Sequence, residues 1–309
     1  GRPVTVSGLR RLAGGSSHET WAFDAVDTGR ATSGGDAIPL VLRREFHSGM
    51  LDTDVRVEFT LLRTLFDAGV PVPEPWLYAV EGSALGTPFM VMERAPGTDL
   101  RKDLAQPDCD RDRPGLAGQA VEVIARVHSV PATDLGLDAA WGPAHEVDRW
   151  VAVLEAAKFD LDPLLATAVT WLRCNLPPAV PAVLVHADFK ANNLLISPEG
   201  RLTVIDWELA HPGDPVEDLA WTMLWRTPWD IVGGLLTPEA YVAAYTSLTG
   251  RQVEPEVLRF WRVFSLVKLW AMFLQGMATQ DPRPQLRLLG RAIVWIQDQM
   301  ATELLEAAR

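Results

Sequence analysis

His186-Ala187-Asp188-Phe189-Lys190-Ala191-Asn192-Asn193, followed by Ile205-Asp206-Trp207-Glu208, is the stretch on which the fold assignment turns. Asp188 and Asn193 stand five residues apart, so one loop carries a carboxylate at one end and an amide at the other. Asp206 follows an apolar run, thirteen residues beyond Asn193, where a strand would deliver a second carboxylate. Phosphoryl transfer needs this set of groups: a carboxylate to orient the attacking hydroxyl, and hard oxygen ligands for a Mg²⁺ that bridges the phosphates.

The runs 182–185 and 202–205, with 194–196 between them, are short and apolar, and predict a small sheet of three strands that presents the polar loop. Farther upstream, 4–12 and 20–26 read as strands joined across Gly14-Gly15-Ser16-Ser17, and 38–42 reads as a third. A helix is expected over 54–68, on Val57, Leu61, Leu62 and Leu65; it ends at Gly69, before Val70-Pro71-Val72-Pro73. Two more strands are expected over 76–80 and 88–93. After the turn Ala95-Pro96-Gly97-Thr98 the texture changes, and helices are predicted over 119–128, 147–157, 164–174, 238–248, 260–278 and 286–305. Within 260–278, Arg262, Ser265 and Lys268 recur at three-residue steps, which predicts a core helix with one wet edge.

The 309 residues suffice for two lobes with a sizeable core. Forty acidic residues against 28 basic ones give a net charge of −12, which argues against a nucleic-acid partner. Such a surface is compatible with a cationic substrate, and equally with plain solubility. Cys109 and Cys174 have no CxxC spacing, so neither a zinc site nor a disulfide framework is expected, and a reducing cytoplasm fits best. No run of about eighteen uncharged apolar residues occurs and the first residues lack a signal-peptide core, so no membrane partner is expected.

HxDxxxxN is also the spacing of a kinase catalytic loop. The blocks LVHADFKANNLLIS (184–197) and IDWELAHPGDPVEDLAW (205–221) resemble the aminoglycoside phosphotransferase and choline-kinase-like branch of the protein-kinase-like fold. Ala187 departs from the family's usual HGD. The resemblance implies a bilobal α+β fold, with a small antiparallel-sheet lobe that binds nucleotide (1–94) and a mainly helical lobe that carries catalysis and the acceptor (95–309). It implies an enzyme that phosphorylates a small-molecule hydroxyl with ATP and Mg²⁺, with GTP as the open alternative nucleotide. Asp188 is then the catalytic carboxylate, with Asn193 and Asp206 on the metal. Gly14, Gly15, Ser16 and Ser17 would cover the phosphates. Arg43, where lysine is usual, would meet them with Glu58 as its partner, while strand alternation sends Arg44 to the other face. Met92 would back the adenine pocket, and Glu93 and Ala95 would offer main-chain hydrogen bonds to the base.

Further expectations come partly from the same resemblance and partly from position and spacing. His186 should buttress the loop, His128 should be a packed or capping histidine, Asp218 should hold the loop's backbone amides, and Asp214 should assist its own turn. Lys190 reads either as a neutraliser of the transferred phosphoryl group or as a solvated lysine. Trp221 and Trp225, one helical turn apart, read as a shared buried face, with Trp225 or Trp229 as an alternative wall for the acceptor. Val-Leu-Arg at 41–43 and Leu-Thr-Gly-Arg at 248–251 resemble the subgroup fused to acyl-CoA dehydrogenases, which favours a metabolic acceptor such as a hydroxyacyl thioester over an aminoglycoside. A protein kinase is disfavoured, because the interval from Asp206 to Asp218 is too short for an activation segment. The competing reading from another class is a non-catalytic nucleotide-binding scaffold, motivated by Arg43 and Ala187.

Overall fold

The computed structural model describes residues 4–12, 18–27, 37–45, 54–80, 85–131, 135, 141–157, 162–278 and 292–308. The chain divides into two compact units, one of Gly1–Asp99 with Leu194–Glu208, the other of Leu100–Asn193 with Leu209–Arg309. The fold class is α+β, an antiparallel sheet followed by a mainly helical region.

The first unit holds a five-stranded sheet of β1 (Val4–Arg11), β2 (His18–Asp27), β3 (Ile38–Glu45), β4 (Pro75–Ala79) and β5 (Phe89–Glu93) in the order β1-β2-β3-β5-β4. Every pairing is antiparallel. Alternation buries Ala25, Leu40 and Val91 on one face, with Phe23, Leu42 and Phe89 packed around them. Helix α1 (Val55–Asp67) starts at Asp54, whose carboxylate accepts the Arg56 N–H, and it turns Val55, Glu58, Leu61, Leu62 and Leu65 inward. Val57 is exposed, contrary to expectation. Glu58 and Val55 lie four and seven residues before Leu62 and share its buried face, whereas Val57 lies five before it and turns away.

The three apolar snippets do not form one sheet. β7 (Val183–Val185) pairs with β10 (His211–Gly213) in the second unit, whereas β8 (Leu194–Ile196) lies between β9 (Leu202–Val204) and β6 (Thr98–Asp99) in the first. The loop 186–193 between them is too long and too polar to be a hairpin turn, and each snippet finds its partner elsewhere. Gly97 lets the turn before β6 approach β8: its φ is 112°, and a Cβ there would lie 2.0 Å from the Ile196 carbonyl oxygen.

The helices of the second unit are α2 (Leu100–Leu104), α3 (Arg113–Val127), α4 (Pro143–Ala156), α5 (Pro163–Cys174), α6 (Val216–Thr222), α7 (Pro238–Thr249), α8 (Pro255–Ala278) and α9 (Ala292–Ala307). Proline in the first turn and the side-chain caps Asp112, Asp162 and Thr237 start α3, α5 and α7. α6 is buried at every residue. Among the described residues, no helix is long and apolar enough to cross a membrane.

The wet edge expected on α8 is instead buried, with Ser265 and Lys268 at 0% and 1% exposure. Arg262 forms an ion pair with Glu303 of α9, and Lys268 Nζ lies 3.2 Å from Glu217 Oε1. Three-residue steps identify a polar face but do not say whether water or a protein partner satisfies it. Beyond Glu217 sits His211, whose Nδ1 is 2.9 Å from the Leu209 carbonyl and whose Nε2 is 3.1 Å from Glu217 and 3.6 Å from Glu146. Trp141 stacks on its ring.

Glu146, His211 and Glu217 are close enough to ligate an ion. Lys268 and Arg149 already neutralise the two carboxylates, however, and a doubly protonated His211 donates to both its neighbours, so the network closes on its own charges. Burial opposes the charge on His211, but Glu217 and Glu146 outweigh it, assisted by the hydrogen bond to Glu217 and opposed by Lys268, and raise its pKa. Burial would likewise raise the Glu217 carboxyl, yet His211 and Lys268 hold it well below the usual carboxylate range.

Two outcomes are expected. Gly97→Ala should destabilise the fold by about 2–4 kcal/mol, read as a drop in the urea midpoint, because the methyl group collides with backbone. The folded pKa of His211 lies above its ordinary value of 6.5, so its stabilisation is complete below that pH and is lost as pH rises through the folded value. The urea midpoint should accordingly fall toward alkaline pH, and His211→Gln should flatten that fall.

Candidate active site

The loop 186–193 begins where β7 ends and closes in a 3₁₀ turn at Ala191–Asn193. Ala187 has φ 63°, left-handed backbone that an L-residue adopts at a cost of about 1–2 kcal/mol. Three bonds hold it there. Asp218 accepts the N–H of Ala187 at 2.7 Å and that of His186 at 2.8 Å, and Lys268 donates to the Ala187 carbonyl at 2.7 Å. His186 is buried, and its Nδ1 accepts the Asp188 N–H at 3.2 Å, which is the buttress expected of it. His128 caps α3 and donates from Nε2 to Asp218 at 3.0 Å, while its Nδ1 lies 2.8 Å from the Tyr245 hydroxyl. Burial raises the Tyr245 pKa. Asp214 accepts the Val216 N–H and the Trp261 indole N–H, and so fixes the turn into α6.

Asp188 is buried, and its carboxylate is ringed by donors. Trp221 Nε1 is 2.8 Å from Oδ1, and Lys190 Nζ is 2.7 and 2.9 Å from the two oxygens. Asn193 Nδ2 is 2.7 Å from Oδ2 and 3.0 Å from the Asp188 carbonyl. The structure thus brings Asp188, Lys190, Asn193 and Trp221 together. Lys190 is an ion-pair partner rather than a solvated lysine. Trp221 escaped the sequence reading as anything but packing, since a residue 33 positions from Asp188 carries no local signal of contact. Trp225 meets Trp221 edge-on at 5.9 Å, lies 5.6 Å beneath Lys190 Nζ and stacks with Trp295. Trp229 is exposed.

In the first unit, Arg43 on β3 forms a close ion pair with Glu58 of α1, and its Nη2 is 3.9 Å from Asp206 Oδ1. Arg44 pairs with Glu19 at 2.7 Å, as strand alternation requires. Burial opposes the Arg43 charge, but Glu58, Asp206 and Glu208 together raise its pKa. Asp206 follows β9 with φ 70°. In the β8–β9 hairpin Leu194 pairs with Val204, and Asp206 follows two residues later. Met92 is buried on β5 opposite Val41. The Glu93 N–H already donates to the Glu74 carbonyl at 2.8 Å, so a base could use only its carbonyl, with Ala95 two residues on. Gly14, Gly15, Ser16 and Ser17 lie outside the described residues.

Three comparisons place this arrangement among known proteins. Acyl-CoA dehydrogenase family member 11 of Gallus gallus is 32% identical over 244 residues, covering 75% of this chain and 30% of that protein. The chain therefore spans less than a third of the length of that relative. A solved protein of Ralstonia eutropha shares the fold with a TM-score of 0.78 at 20% identity, over 99% of this chain and 94% of that one. A thermostable mutant of an aminoglycoside phosphotransferase, solved with ADP and hygromycin B, superposes with a TM-score of 0.69 at 19% identity, over 99% and 96%. The family model described as "Phosphotransferase enzyme family" matches residues 8–261, a span that contains Arg43, the Asp188 loop and Asp206, and the chain belongs to that family of small-molecule kinases.

Proposed function

We propose that this chain transfers the γ-phosphoryl group of ATP, with Mg²⁺, to a hydroxyl of a small organic molecule. One observation supports this above the others: Asp188 is a buried carboxylate oriented by fixed donors on a loop whose own strain is locked by Asp218. The acceptor oxygen attacks the γ-phosphorus, the bond to the ADP oxygen breaks, and the acceptor proton passes to Asp188.

The metal reading follows from donor chemistry. The Asn193 amide nitrogen is committed to Asp188, which leaves its amide oxygen as a hard ligand, and Asp206 offers a carboxylate that is 35% exposed. Both suit Mg²⁺. Mg²⁺ held there would neutralise charge on the phosphates. Arg43, kept cationic by Glu58, Asp206 and Glu208, would bind the same phosphates as a fork instead of a point charge. Gly14, Gly15, Ser16 and Ser17 would cover them, with Met92, Glu93 and Ala95 on the base.

A metabolite such as a hydroxyacyl thioester is favoured over an aminoglycoside. The relative named above is an acyl-CoA dehydrogenase family member. Beside Asp188 the chain places the Lys190 cation over the half-buried Trp225, where a polycationic sugar would require converging carboxylates. Cys109 and Cys174 are free thiols, which suits a reducing compartment such as the cytoplasm.

The test is ADP release across an acceptor panel of hydroxyacyl thioesters, choline and aminoglycosides, with Mg²⁺-ATP binding followed by calorimetry. Asp188→Asn and Asp206→Asn should each lower turnover about a thousandfold or more without shifting the melting temperature. Undiminished turnover in either variant removes that residue from the mechanism. Nucleotide binding with no ADP formed from any acceptor would establish the scaffold reading instead.

A further inference from the structure

We propose that Trp221 and Lys268 are positioning residues for Asp188: the indole N–H fixes the carboxylate, and the buried ammonium fixes both the indole and the peptide that precedes Asp188. The proposal rests on the reading of Asp188 as the group that receives the acceptor proton.

Three side chains donate to the Asp188 carboxylate, and they are not equivalent. Lys190 is a flexible side chain with 25% exposure, and Asn193 has a second duty toward a cation. Trp221 is 1% exposed, on a helix buried throughout. Trp225 packs edge-on against one side, and the ammonium of Lys268 sits 4.7 Å from the ring centroid. When Lys190 turns to phosphate, the Asn193 amide stays on Oδ2 and the Trp221 N–H is the donor that stays on Oδ1. It holds Oδ1 at 2.8 Å and so directs the remaining oxygen toward the acceptor.

Lys268 is unusual in its own right, since an ammonium at 1% exposure is expensive and a hydrophobic side chain of similar volume would pack at lower free energy. Its polar contacts are to the loop and to α6. It donates to the Ala187 carbonyl at 2.7 Å, it pairs with Glu217 at 3.2 Å, and it lies over the rings of Trp221 and Trp150. Glu217 and Trp221 are one turn apart on α6, so this single cation spans the acidic and aromatic members of one helix face and the loop's strained residue. A purely structural Trp221 would need its ring but not its N–H, and that difference is measurable.

The experiment uses the full chain with ¹⁵N-labelled tryptophan. The Trp221 indole resonance is identified by its loss in Trp221→Phe, a variant that keeps an aromatic face for Lys268. It should lie downfield in the parent chain and move upfield in Asp188→Ala and in Lys268→Met. Where Lys268→Met does not fold, Lys268→Gln, which keeps a donor but no charge, replaces it. ADP release from Mg²⁺-ATP with water as acceptor should fall about 10- to 100-fold in kcat in Trp221→Phe, the loss of one charge-assisted hydrogen bond, with KM for ATP unchanged. An unmoved resonance in Asp188→Ala, or Trp221→Phe at the parent rate, overturns the role of Trp221. An unmoved resonance in the lysine variant overturns that of Lys268. Parental ADP release from Asp188→Ala would overturn the underlying reading of Asp188 instead, whatever the indole reports.

Discussion

Asp218 bears the loop that carries Asp188, the residue proposed to receive the acceptor proton. It is fully buried, and its two oxygens accept three hydrogen bonds, from the backbone of His186 and Ala187 and from His128. A carboxylate in that position would be untenable without such donors, and the two amides would be untenable without it, so each stabilises the burial of the other. The left-handed backbone at Ala187 persists because these bonds over-determine it. Asp188 inherits its direction from that constraint.

Neighbouring carboxylates on α6 divide the work around this point. Glu217 and Asp218 are adjacent in sequence and therefore about 100° apart around the helix. Asp218 faces the loop and His128, whereas Glu217 faces Lys268 and His211. A helix that must present different charges in different directions, and hold Trp221 besides, has no side left for solvent. That accounts for the burial of all seven of its residues. The charges are tolerable because cations stand opposite them, and α8, apolar over most of its surface, brings one of those cations on the very stripe that its spacing marks as polar.

How far the sequence could be read depended on whether the signal was local. Asp188, Asn193 and Asp206 sit in spacings fixed by the chain itself, and Arg43 and Glu58 were named through the family resemblance, so all were nameable before any coordinates. The five-stranded sheet followed from alternation and turn residues. The strand partners of β7 and β8 were not readable, because three-residue strands carry no register, and a partner such as His211–Gly213, with its proline and glycine, does not look like a strand. Trp221 and Lys268 were invisible as a pair for a related reason: a contact between residues 33 and 81 positions from the loop leaves no mark in spacing. Polarity on α8 was visible, but its destination was not.

Two departures from the common family pattern, Ala187 and Arg43, would suggest decay of the site if read alone. Each is met by a specific contact. The methyl group at 187 makes a left-handed residue harder to hold, and the backbone there is clamped on both sides, its N–H by Asp218 and its carbonyl by Lys268. At position 43 the longer forked cation does what an ammonium cannot, reaching Glu58 with one nitrogen and approaching Asp206 with the other. Substitutions that drift without function have no reason to acquire partners of matching geometry. Compensation at both positions, in separate units of the molecule, is what a site under constraint would show, and it weighs for an active phosphotransferase over a scaffold that only binds nucleotide.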